Sequence, residues 1–216
     1  MKNHYIQIEK FLQASFWKVL FIFFALVLLI WGISFLIPRG VDWSTAFRPA
    51  ALTLLNGESP YTVYGFYNAP WALIPLIPLA ILPEQIGRSA LFVFSLISLA
   101  FVAWKLGGNK LTILLLLLSP PAMHGFLNGN IDWMVLYGII LPPQLGLFFL
   151  AIKPQVGFVV AFYWLWWAWQ EGGWQEVFRK FSPFVTVLLI TFVLFGFWPL
   201  RYKQGISLMW NASLWP

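Results

Sequence analysis

The feature that most constrains this chain is a series of apolar runs, Phe16–Ile37 first among them, long enough to cross a lipid bilayer. A bilayer core needs about 20 consecutive apolar residues as helix. The remaining composition agrees: 61% of residues are hydrophobic and only 9% charged, against roughly 25% charged in a soluble domain. The runs are unbroken rather than alternating, which excludes the strands of an outer-membrane barrel. The sequence therefore predicts an all-α, polytopic membrane protein, with about six or seven spans plus juxtamembrane or re-entrant helices in the first outer loop. Its divisions are a cytoplasmic segment over residues 1–15 and a single transmembrane module over 16–216, with an outer loop over 38–85.

A net charge of +6 follows from membrane topology rather than nucleic-acid binding, because basic residues gather at span ends and no dense basic face exists. The absence of cysteine removes disulfides, thiolate metal sites and cysteine nucleophiles. His4 and His124 are the two histidines, too few for a histidine-rich metal cluster, so neither metal nor cofactor is expected. Lys2, Lys10 and Lys18 lead into Phe16–Ile37, a run too long for a signal-peptide core and lacking a cleavage site. It reads as a retained anchor with its N-terminus in the cytoplasm.

Beyond that anchor, Ala69–Leu82 is broken by Pro70, Pro75 and Pro78. Its ~14 residues rise about 21 Å as a helix, short of a ~30 Å core, so it reads as a juxtamembrane or re-entrant helix. Ile86–Trp104 is a clean span, and Leu111–Phe126 carries the breaker Ser119-Pro-Pro121. Ile131–Leu141 and Leu145–Ile152 are short pieces parted by Pro142-Pro-Gln144. Val156–Trp169 and Pro183–Trp198 read as spans joined by a polar turn from Gln170 to Phe181, and an aromatic tail with Lys203, Trp210 and Trp215 follows. With Ala69–Leu82 re-entrant, Lys105, Lys110, Arg179 and Lys180 share the N-terminal lysines' side, as the positive-inside rule favours. Asp42, the His124–Asp132 loop and Lys153 then share the outer face. Fourteen tryptophans, concentrated in Tyr163-Trp-Leu-Trp-Trp-Ala-Trp169, mark a membrane interface first.

Few residues can carry chemistry. Asp42 reads either as a general base for an attacking hydroxyl or as the N-cap of a helix beginning near Trp43. Asp132, in Asn128-Gly-Asn-Ile-Asp132, reads as a polar group near a substrate or as another N-cap. His124 is a headgroup neighbour or a site residue. Lys153 lies between apolar segments with no acid at helical spacing, which suits a polar cavity or an anion such as a lipid-linked phosphate; snorkelling to headgroups is the alternative. Arg48 and Arg88 are weaker phosphate candidates. No Walker loop, dinucleotide turn, zinc motif or Asp-x-Asp pair is present.

The order of these features carries a resemblance. Asp42, Leu54-Leu-Asn-Gly-Glu-Ser-Pro-Tyr61, Tyr67-Asn-Ala-Pro-Trp71, Ile74-Pro-Leu-Ile-Pro-Leu-Ala-Ile-Leu-Pro83, Asn128-Gly-Asn-Ile-Asp132 and Ala151-Ile-Lys-Pro-Gln155 follow one another. Over Asp42 to Gln155 the chain resembles GT-C-type integral membrane glycosyltransferases, in particular the bacterial polyprenyl-phosphomannose-dependent mannosyltransferase-like family, as a short member. The resemblance implies a bacterial inner-membrane enzyme moving a hexose, such as mannose, from polyprenyl phosphate to a lipid or glycan acceptor with inversion. Asp42 would be the base. Arg48, Tyr61, Tyr64, Tyr67, Arg88, His124, Asn128, Asp132 and Lys153 would form the substrate site. Membrane lipids and the polyprenyl-phosphate sugar are the expected partners, together with membrane proteins and no nucleic acid. Two other readings are a non-catalytic accessory subunit of a larger membrane complex and a flippase for a polyprenyl lipid.

Overall fold

A computed structural model describes residues 2–201, with side chains described from residue 16 onward. The expected aromatic tail beyond Arg201 lies outside the described residues, as do the side chains of the first lysines and His4. Among the described residues every regular element is helical. Three helices are long and apolar enough to cross a membrane, or four if one bent pair counts as a single span. The protein is thus a helical, membrane-embedded chain. It divides into two units, residues 1–37 and 38–216.

The first unit is α1 (Lys2–Ile33), whose apolar stretch Phe16–Ile33 has a mean hydropathy of 2.4. Its length bears out a span with a longer helical lead than the sequence pattern suggested.

The second unit opens with a π-helical turn over Trp43–Phe47 that runs into α2 (Arg48–Leu55). The widened turn is explicit in the backbone, where the Arg48 N–H reaches the Trp43 carbonyl. Such wide turns are rare and concentrate at functional sites. Next come a 3₁₀ segment, Pro70–Leu76, and the short α3 (Ile77–Ala80). Pro75 and Pro78 withhold backbone donors there, which explains the tight, interrupted helix too short to span.

α4 (Glu84–Lys105) is the expected clean span. α5 (Lys110–Leu117) and α6 (Pro120–Asn128) meet at a 56° bend. Pro120 and Pro121 cause it, since the residue before a proline is pushed out of helical conformation; Ser119 sits at ψ 144°.

α7 (Asp132–Ile140) and α8 (Pro143–Leu150) form a hairpin around Leu141-Pro142. At about 1.5 Å per residue each arm rises only about 12–14 Å, under half of a hydrocarbon core. Two glycines let the arms touch: a Cβ on Gly146 would lie 2.5 Å from the Gly138 carbonyl oxygen. Because the arms are antiparallel, Asp132 at the start of α7 and Lys153, just past the end of α8, return to the same end.

α9 (Pro154–Phe195) corrects one expectation. The polar stretch Gln170–Phe181 is not a loop; helix continues through it, broken only where Gly172 and Gly173 leave helical geometry, Gly173 with φ 56°. Pro183 lies inside the second arm rather than at its start. Glu171 and Glu176 pair there with Lys180 and Arg179, so the charges sit on a helix surface that needs no loop to solvate them.

The core joins the early loop to the hairpin. Trp43, Phe47 and Ala50 pack with Phe66, Leu73 and Leu76, and these meet Leu91, Ile131, Met134, Leu150 and Ile152. The segment carrying Asp42 is thereby seated on the segments that carry Asn130 and Lys153.

Candidate functional site

Asp42 stands immediately before the π-helical turn, itself in helical conformation (φ −62°, ψ −38°), and its carboxylate makes no capping hydrogen bond. The N-cap alternative therefore does not describe it. Its Oδ2 instead accepts a hydrogen bond from Asn130 Nδ2 at 2.9 Å, across 88 residues of sequence. The other end of the same amide is also engaged: Asn130 Oδ1 accepts from Lys153 Nζ at 2.9 Å and from the Ile131 N–H at 2.6 Å. Lys153 completes the group by an ion pair with Asp132. One asparagine thus couples the early acid to the late ammonium.

Local folding explains why Asn130 occupies this position. α6 ends in a left-handed residue, Gly129, at φ 75°, a conformation glycine adopts without steric cost. The Asn130 N–H folds back to the Gly125 carbonyl and the Gly129 N–H to that of Phe126, the hydrogen-bond pattern of a Schellman C-terminus. Asp132 is the first residue of α7 and Ile131 holds the cap position, so the N-cap alternative does not describe Asp132 either; its carboxylate pairs with Lys153.

Electrostatics follow from this geometry. Burial pushes the Asp42 carboxyl above the ordinary aspartate range, and the neighbouring Asp132 charge adds to the shift. Lys153, the Asn130 hydrogen bond and His124 oppose it. A buried carboxylate with a raised pKa is a stronger base than a solvated one. The Lys153 side chain is 17% exposed and that of Asp132 is 60% exposed, so the pair sits at the rim of the cluster.

A groove of about 310 Å³ opens against the rim. Asn130 and Asp132 form its polar edge; Leu99, Leu116, Phe126, Trp133 and Leu136 supply apolar wall. It presents charge at one side and hydrocarbon on the others.

The remaining sequence candidates are placed less uniformly. His124 lies one helical turn before Asn128, whose amide nitrogen approaches the ring at 2.9 Å; both lie on α6, and His124 is exposed. Arg88 is fully buried and gives both of its formed hydrogen bonds, through Nη2, to the Phe126 and Leu127 carbonyls at 2.5 and 2.7 Å. That is a buried placement beneath the end of α6, in which Nε and Nη1 have no hydrogen-bond partner. Arg48 donates to the Leu82 carbonyl at 3.4 Å, tying α2 to the end of α3. The Tyr61 hydroxyl donates to the Asn68 carbonyl at 2.9 Å, and its ring stacks on Trp198. Tyr64 is 77% exposed, and Tyr67 is half-buried.

Two site residues escaped the sequence reading. Asn130 is the hub, where Asn128 had been favoured. Asn68 is buried, and its Nδ2 donates to the Ile152 carbonyl at 3.0 Å, fixing the backbone beside Lys153. A usable signal for Asn68 was its place inside Tyr67-Asn-Ala-Pro-Trp71, since an amide beside a proline-led helix start commonly ties down backbone.

Fold and site define a helical membrane protein with an acid–amide–ammonium cluster beside an apolar groove. No family profile, no curated protein and no solved structure matches the chain. Among the described residues no group of three or more acidic, histidine or cysteine side chains could hold a metal ion.

Proposed function

We propose that the protein is an inverting glycosyltransferase that moves a hexose, such as mannose, from a polyprenyl-phosphate carrier to a lipid or glycan hydroxyl at the extracytoplasmic face. The observation that carries this reading is Asn130, hydrogen-bonded at once to the Asp42 carboxylate and the Lys153 ammonium, 2.9 Å to each. A transfer of this kind needs a base for the acceptor and an anion-stabilising cation for the phosphate within one site, on opposite sides of the anomeric carbon. The acceptor oxygen attacks the anomeric carbon from the face opposite the phosphate. Its proton passes to Asp42 while the bond from that carbon to the phosphate oxygen breaks. The phosphate leaves with the electron pair, and Lys153 balances its charge. Positioned base catalysis contributes ~10²–10⁴-fold, and charge stabilisation of the leaving group adds to it. The groove beside Asn130 and Asp132 supports a substrate that is polar at one end and hydrocarbon at the other.

The topology in this reading has the N-terminus cytoplasmic in a bacterial inner membrane. α1, α4, the bent α5–α6 pair and the two arms of α9 cross, and the α7–α8 hairpin dips in and returns. Six or seven crossings would require the hairpin arms to count as well. The site then lies on the outer side, and Lys105, Lys110, Arg179 and Lys180 on the cytoplasmic side, in keeping with the positive-inside rule.

The test is transfer from radiolabelled polyprenyl-phosphate hexose in membranes containing the protein. Asp42→Asn, which keeps the shape and an acceptor for Asn130, is expected to abolish transfer. Undiminished transfer by that variant overturns the mechanism. A wild-type chain that transfers nothing, yet co-purifies in fixed ratio with another membrane protein, supports the accessory-subunit reading instead.

A further inference from the structure

Among the described residues Arg88 is a charged side chain with no exposed surface, and the transfer chemistry does not use it. Its surroundings are specific. Nη2 binds the last carbonyls of α6, at Phe126 and Leu127, where a cation also meets the negative end of the helix dipole. Its Nε lies against two glycines from different segments. A Cβ built on Gly40 would sit 2.4 Å from Arg88 Nε, and one built on Gly129 would sit 3.3 Å from it and 2.7 Å from the Trp43 Cβ. Gly40 is two residues before Asp42, and Gly129 is one residue before Asn130. The guanidinium therefore fills the seam between the two turns that present the two ends of the Asp42–Asn130 hydrogen bond.

We propose that Arg88 is a positioning residue for this site: it clamps the end of α6 against the Gly40 turn and so sets the separation of Asp42 and Asn130. At position 40 a Cβ would strike the Arg88 Nε, and at position 129 it would strike the Trp43 Cβ, so glycine at both lets the two turns close around the clamp. One nitrogen, Nη2, takes both carbonyls while Nε stands against the Gly40 turn, an extended planar group whose shape a lysine's point charge does not reproduce. The inference rests on the proposed site for its catalytic meaning; its geometry stands apart from that reading.

The natural absence of cysteine permits a direct test that needs no transfer activity. In the full chain in native membranes, Asp42→Cys with Asn130→Cys is treated with a short bis-methanethiosulfonate cross-linker. Trp71→Cys with Phe148→Cys, a packed pair elsewhere in the same unit, serves as control. Arg88→Met is expected to lower cross-linking at the site at least fivefold while leaving the control pair unchanged, and Arg88→Lys is expected to fall between. Wild-type yield at the site in both Arg88 variants overturns the proposal. An equal loss at both pairs in Arg88→Lys also overturns it, because that is a general role in folding; this milder variant keeps the test decisive should Arg88→Met not accumulate. In transfer assays Arg88→Lys is expected to lower kcat several-fold at nearly constant KM and to move the acid limb of the pH profile to higher pH, since the Asn130 hydrogen bond is one of the interactions that oppose the effect of burial on Asp42. A wild-type chain without transfer refutes the enzymatic reading and leaves the cross-linking result to decide the clamp.

Discussion

Removing Asn130 gives the most quantitative test of the cluster. Its side chain forms two hydrogen bonds to charged groups, Asp42 and Lys153, and one with the Ile131 N–H. Hydrogen bonds to charged groups contribute about 1.5–3 kcal/mol each and neutral ones about 1 kcal/mol. The cluster is partly exposed, so the lower figures apply, and Asn130→Ala is expected to cost about 3–4 kcal/mol. Most of that loss concerns Lys153 and the start of α7 rather than Asp42. A double-mutant cycle separates the parts. Asp42→Ala alone loses the hydrogen bond but also relieves a buried carboxylate of its desolvation, so its net cost is small. The coupling between Asp42→Ala and Asn130→Ala isolates their shared bond, at about 1.5 kcal/mol. Unfolding of the four proteins in mixed micelles, followed by tryptophan fluorescence, measures it. A coupling below about 0.5 kcal/mol, the scatter expected for independent sites, would refute the claim that Asn130 joins the acid to the ammonium.

Three further outcomes are expected. The acid limb of transfer activity lies above the ordinary aspartate range, because the base must be ionised and burial raises its pKa. Lys153→Met removes an opposing positive charge and moves that limb to higher pH, whereas Asp132→Asn removes a like charge and moves it lower; pH–rate profiles of the three proteins check the order. A raised folded-state pKa means that the stability Asp42 contributes is complete below the unfolded aspartate value and is lost as pH rises through the folded value. Asp42→Asn has no such loss, so its Tm relative to wild type should improve as pH climbs through that window. Gly146→Ala drives a Cβ to 2.5 Å from the Gly138 carbonyl oxygen, and overpacking of this kind costs about 1–3 kcal/mol. Spreading of the hairpin by the added methyl should weaken the pairing of Asp132 with Lys153, read as a smaller coupling energy between Asp132→Asn and Lys153→Met in the Gly146→Ala background.

The parts of the fold legible in the sequence are those set by local chemistry. Apolar length marked the spans at α1 and α4, and prolines marked the bend after α5 and the short pieces flanking residues 142 and 154. The stretch from Gln170 to Phe181 misled because its charges resemble a loop, whereas pairing between Glu171, Glu176, Arg179 and Lys180 lets a helix carry them. Only Gly172 and Gly173 mark the true break, and their departure from helical geometry depends on the arms they join. Arg88 misled in the opposite sense: a cation near a span end is a phosphate candidate by sequence, and only tertiary packing places it beneath α6.

The site shows most clearly where local reading ends. Asp42, Asp132 and Lys153 stand out in sequence because ionisable groups are rare in an apolar chain and therefore conspicuous. The residue joining them is uncharged and sits in Asn128-Gly-Asn-Ile-Asp132, where two asparagines are chemically identical candidates. The handedness of Gly129 decides between them. With φ at 75°, the chain reverses after Asn128, leaving that amide on α6 beside His124 and carrying Asn130 across to Asp42 and Lys153. Had the chain continued as right-handed helix, Asn130 would have stayed on α6, and the acid and the ammonium would have lost their common neighbour. The α7–α8 hairpin completes the arrangement, because two arms too short to cross bring Lys153 back to the end at which Asp132 began. A left-handed glycine and a pair of incomplete spans thus account for a cluster whose members lie more than a hundred residues apart.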